Sequence, residues 1–109
     1  MNTDQEIIMS AKEMLEKHLD VNVAEKNIVS REALIGWLSA HIVYMLQHEM
    51  EKLLQLLYRI DVNEKKVKEA FAQSNPTMIA PTIAVLILDR ELQKAKSRLA
   101  HKNKDVHED

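Results

Sequence analysis

Cysteine is absent from the 109 residues, which excludes disulfides, thiol chemistry and cysteine-ligated zinc or iron–sulfur centres. Glycine occurs once, at Gly36, proline only at Pro76 and Pro81, and the aromatic residues number four: Trp37, Tyr44, Tyr58 and Phe71. A chain so poor in turn-forming and strand-forming residues does not build a sheet, and an all-α fold is expected. The longest largely apolar stretch, Met78 to Leu88, falls far short of the roughly 20 residues that span a bilayer, so no membrane contact is expected. The start, MNTDQEII, has no basic residue ahead of an apolar run; no secretory signal is expected, and a cytoplasmic protein is the default.

What is present is helical material. The chain is 46% hydrophobic, enough for one modest core, and residues 1–100 are expected to form a single domain. Thr3 and Glu6 have capping-box spacing, and Ile7, Ile8, Ala11, Met14, Leu15, His18 and Leu19 then keep the helical period, which predicts a first helix from about Asp4 to Leu19. Residues 20–29 lack a strong period and read as a connecting loop that packs back on the next helix. From Arg31 to Ile60 there is no proline and only Gly36, and Ser30 is a suitable N-cap, so a single helix of roughly 45 Å is expected there. Asp61 and Glu64 have the form of a fresh capping box, predicting a break after Ile60 and a short helix from Val62 to about Gln73. Pro76 stops that helix, and the last one is expected to begin near Pro81, since proline is tolerated only in a first turn.

On the 31–60 helix Leu38, Ile42, Met45, Leu46, Met50, Leu53, Leu54, Leu56, Leu57 and Ile60 cover a very broad arc. Two flanking helices of roughly 25 and 30 Å do not evidently cover it. The expectation is a small antiparallel bundle around one long central helix, completed by dimerisation. Beside the arc runs a narrow stripe of Trp37, His41, Tyr44, His48, Glu51, Gln55 and Arg59. It is either a solvated face or an interaction surface, since Trp, Tyr and Arg are enriched where proteins dock. A metal or catalytic use of His41, His48 and Glu51, with Tyr44 as a further acid–base group, is weaker. The two histidines stand roughly 10 Å apart along the axis, the residues four after them are Met45 and Lys52, and the His48–Glu51 pair three apart also occurs as an ordinary surface contact. No cofactor, metal or enzymatic activity is therefore expected.

Net charge is −2 but uneven: residues 1–30 carry three lysines against six acids, whereas residues 90–104 carry six basic residues against Glu91 alone. Arg90, Lys94, Lys96, Arg98 and Lys102 form a candidate basic surface around a short coiled-coil-type seam of Val85, Leu88, Leu92, Ala95 and Leu99. That seam suits pairing with the first helix or with another chain. Nucleic-acid binding through the basic end is the competing class, disfavoured by the negative total and the lack of a helix-turn-helix spacing. Residues 101–109 are expected to form a frayed or disordered charged tail.

Two stretches, LLYRIDVNEKKVKEAF at 56–71 and AVLILDRELQKAKSR at 84–98, resemble segments of small uncharacterised bacterial proteins with a Y-R-I-D-V-x-E junction. The resemblance implies an all-helical bacterial protein and carries no activity. The reading reached from sequence is thus a small helical interaction or adaptor module that acts as a homodimer, with another protein as a further partner.

Overall fold

In a computed structural model that describes residues 4–19 and 30–107, with side chains described through His101, every regular element is helical. The helices are α1 (Asp4–Leu19), α2 (Arg31–His48), α3 (Met50–Ile60), α4 (Glu64–Phe71) and α5 (Ile79–His107), with a 3-10 turn over Pro76–Met78 before α5. The expected cap at Thr3 and the expected loop at 20–29 lie outside the described residues.

Local chemistry accounts for most of the boundaries. Ser30 has extended dihedrals (φ −125°, ψ 157°), and its Oγ accepts from the Ala33 N–H at 3.1 Å, as an N-cap serine should. Asn63 does the same for α4, accepting from the Lys66 N–H at 3.1 Å. The expected capping role of Asp61 is therefore corrected: Asp61 closes α3 and does not open α4. It is left-handed (φ 65°, ψ 50°), its N–H bonds the Tyr58 carbonyl at 3.1 Å, and the Val62 N–H reaches the Leu57 carbonyl at 3.2 Å. Those two bonds define a Schellman motif, whose left-handed position short polar residues such as Asp tolerate. Asn75 caps the 3-10 turn through the Thr77 N–H at 3.1 Å. Pro81 sits in the first turn of α5, where a helix has no use for its missing N–H.

Two larger expectations are corrected. Residues 31–60 are not one helix: Glu49 leaves the helical region (φ −140°, ψ 48°) and separates α2 from α3. The Glu49 N–H still bonds the Met45 carbonyl at 2.7 Å, and the Leu53 N–H bonds the Glu49 carbonyl at 3.1 Å, so the chain turns without losing contact between the two helices. Nor is that stretch the centre of the fold. The longest helix is α5, about 44 Å by its rise per residue, and it packs against α1, α2, α3 and α4 in turn.

The core lies along α5. Ala80, Ile83, Ala84, Ile87, Leu88, Glu91 and Ala95 are buried at helical spacing, and α1 adds Ala11 and Leu15. From α2 come Leu34, Leu38, Ile42 and Met45, and from α3 Leu53, Leu56, Leu57 and Ile60. Most of the broad apolar arc is thus buried within one chain; only Met50 and Leu54 of that arc are exposed, at 41% and 48%. Burying one such aliphatic side chain contributes on the order of 2 kcal/mol before entropy is charged against it. The basic seam of α5 packs on α1, as one of its two sequence readings required. The backbone is helical through His107, beyond the point where a frayed tail was expected to start.

Candidate functional site

The turn at Glu49 brings together residues that the stripe had kept apart. A cleft of about 480 Å³ lies between the end of α1 and the α2–α3 corner, lined by His18, Leu19, His41, Met45, Glu49, Lys52, Gln55, Leu56 and Arg59. Met45 and Leu56 are almost wholly buried and make an apolar floor. Glu49 accepts from Lys52 Nζ at 2.8 Å across the corner. Arg59 is exposed and has no ion-pair partner among the described residues.

Behind His18 stands the least expected residue of the molecule. Glu91 of α5 is fully buried, and its Oε1 lies 3.1 Å from His18 Nδ1. Apart from that contact, neither carboxyl oxygen has a hydrogen-bond partner among the described residues. Burial pushes the Glu91 carboxyl above the usual carboxylate range, opposed by the nearby charges of His18, Lys94 and Arg90. With Nδ1 buried against Glu91, the exposed part of the His18 ring faces the cleft. From sequence Glu91 entered only as the lone acid of the basic 90–104 segment; the signal for its burial is its position in the 84–88–91–95 register of buried residues.

The polar stripe is divided among three settings. Trp37 and His41 are half-buried and stacked, with ring centroids 6.0 Å apart and planes at 14°. Tyr44 and His48 are exposed, one turn on, with centroids 4.8 Å apart. Glu51, Gln55 and Arg59 are exposed on α3, where Gln55 and Arg59 also border the cleft. Sequence reasoning missed His18, Glu49, Lys52 and Glu91, because the first and last come from other helices and the middle two flank an unanticipated turn. No group of three or more His, Asp or Glu residues able to hold a metal ion occurs among the described residues.

The basic residues do not make one patch. Arg90 Nε donates to the Asp61 carbonyl at 3.2 Å, and Lys94 Nζ donates to the Ile60 carbonyl, so these two cations of α5 cap the C-terminal end of α3. Lys96 borders a separate shallow apolar hollow with Ile7, Ile8 and Leu92, next to the Arg31–Asp89 ion pair (2.7 Å). Arg98 is exposed, and the side chain of Lys102 lies outside the described residues.

The outward side of α2 is unusually poor in charge. From Ala33 to Gln47 there is no Asp, Glu, Lys or Arg. Gly36, Ala40, Val43, Gln47, Met50 and Leu54 are all exposed and follow one another at alternating spacings of four and three. Val43, Tyr44 and Tyr58 expose 44%, 53% and 89% of their surface. A carbon added at Gly36 would meet nothing within 4 Å. No helix among the described residues is long and apolar enough to cross a membrane. The chain matches no protein-family model, no curated protein and no solved structure.

Proposed function

We propose that this protein is a small helical protein–protein interaction module that pairs with a second copy of itself through the outward side of α2 and α3. The observation that carries the reading is the charge-free run from Ala33 to Gln47, with Gly36, Ala40, Val43 and Gln47 exposed on its outward side and Met50 and Leu54 exposed beyond the turn. A helix apolar on every side is ordinarily a buried one, yet α2 buries only the side that meets its own chain.

A second copy suits that face for two reasons. It has no like charges to set against each other when it meets itself. Within α2 its spacing is also self-complementary about a two-fold axis: in an antiparallel pairing of α2 with α2, Gly36 faces Gln47 of the other copy and Ala40 faces Val43. Small side chains then oppose large ones, the interdigitation that close helix packing needs. It shares only Met50 and Leu54 with the broad apolar arc, whose Leu53 and Leu57 belong to the core of a single chain. Tyr44 and Tyr58 border it as aromatic anchors of the kind enriched at interfaces.

Light scattering over a dilution series tests the reading. The wild-type chain is expected at twice its 12.6 kDa mass, and Val43→Lys or Leu54→Lys is expected to return it to one chain with its helix content intact. Retention of the wild-type dimer by both lysine variants would refute the assigned face.

A further inference from the structure

The cleft at the α2–α3 corner carries an inference that does not depend on how the chain assembles. Its floor is apolar, from Leu19, Met45 and Leu56, and its rim is polar, from Lys52, Gln55 and Arg59. A volume of about 480 Å³ lies within the roughly 300–1,000 Å³ of small-molecule sites, which also pair an apolar lining with a few convergent polar groups. The two cations of the rim are not equivalent. Lys52 is held by Glu49 at 2.8 Å, whereas Arg59 presents its guanidinium with no ion-pair partner among the described residues. A planar fork of N–H donors above an apolar floor matches a carboxylate attached to an apolar body.

Glu91 supplies the second, independent observation. A buried carboxyl whose one polar side-chain contact among the described residues is an imidazole costs stability, and a hydrophobic residue of similar size would serve the α1–α5 contact at least as well. The one group it engages across helices is His18, whose ring it holds with Nδ1 inward and the other edge toward the cleft. Buried titratable groups of this kind gather at binding and catalytic sites. Glu91 thus acts as a positioning residue for a histidine on the cleft wall.

We infer that the cleft binds a small amphipathic organic carboxylate, its apolar body over Leu19, Met45 and Leu56 and its carboxylate at Arg59, with His18 and His41 on the walls. The site and the self-pairing face use different sides of α2: His41 and Met45 line the one, Ala40 and Val43 the other.

The test is an NMR titration of the full-length chain with octanoate, with 1-octanol as its uncharged counterpart. Saturable shifts are expected at Leu19, His41, Gln55 and Arg59 for octanoate, with octanol binding at least about tenfold more weakly. Arg59→Gln, an exposed substitution, should leave the spectrum of the fold unchanged and weaken octanoate by about tenfold or more, the value of one charge-assisted hydrogen-bonding group. His18→Gln, which keeps a polar side chain against Glu91, should also weaken octanoate while leaving octanol unchanged. No saturable shift below roughly 10 mM, equal binding of octanol, or wild-type affinity in Arg59→Gln would each overturn the assignment.

Discussion

At the scale of single residues, Glu91 and Asp61 each sit where their side chain is a poor default choice, and both make sharp predictions. Glu91 is enclosed by the apolar stripe of α5, with His18 opposite and Arg90 and Lys94 on its own helix. Its carboxyl is raised above its ordinary value, mainly by burial. The neutral form is therefore favoured on folding. Its contribution to stability is fully present below the unfolded-chain value near 4.5 and is lost as pH rises through the raised one. His18 opposes that upward shift, so His18→Ala should destabilise the fold more at neutral pH than in acid, where Glu91 is protonated with or without the histidine. Urea unfolding of both proteins at pH 7 and pH 4 measures that difference, and an equal loss at the two pH values would contradict it. Asp61 bears the left-handed conformation of the α3 Schellman motif. Glycine adopts that conformation without strain and a β-branched residue does not. Asp61→Gly should hold or raise the melting temperature, and Asp61→Val should cost about 1–2 kcal/mol. The ion pair of Asp61 with Arg90 is long, at 3.6 Å, and exposed, so its loss in either variant contributes little.

Whole elements are held mainly by what they meet, and this decides which of them can be read from sequence. The Ser30 cap, the break after Ile60 and the stop before Pro76 all follow from local chemistry, and each was legible. The turn at Glu49 was not. Leu46 to Lys52 contains neither proline nor glycine and favours a continuous helix, yet α2 and α3 both lie against α5, and the turn lets each present its own buried stripe to it. The identity of the central helix was hidden for the same reason: the charged second half of α5 resembles an outer helix, although Glu91 and Ala95 continue its buried register. Of the candidate site, His41, Gln55 and Arg59 were legible as one stripe. Their partners His18 and Glu91 required the tertiary packing of α1 and α5.

The C-terminal end of α3 depends on α5 in a way that is itself measurable. Arg90 and Lys94, one turn apart, donate to the carbonyls of Asp61 and Ile60. Lys94→Met keeps the aliphatic stem but removes the donor and the charge, and should cost about 1 kcal/mol. Hydrogen exchange should then quicken locally at Leu57 to Ile60, while α1 stays protected. Unchanged exchange in that segment would show that the cation does not hold the helix end. At the α4–α5 corner Gln73 Nε2 donates to Thr82 Oγ1 at 3.0 Å and to the Ala70 carbonyl at 3.1 Å, a similar cross-tie made by one side chain.

For the whole molecule, elongation and an incompletely buried α2 belong together. The Cα radius of gyration is 14.8 Å, above the roughly 13 Å of a spherical domain of this length, and the extents are 52 × 31 × 21 Å. Among the described residues the far side of α2 and α3 has no neighbouring helix. A second chain on that side would convert an extended single core into a thicker one, which is the physical content of the self-pairing proposal. The measurement that tests it most directly is solution mass by light scattering for the wild type and Val43→Lys, each followed across dilution. The account predicts a wild-type mass of twice 12.6 kDa that falls to one chain in the variant, with circular dichroism unchanged between them. A wild-type chain that stays at its monomer mass at every concentration would contradict it.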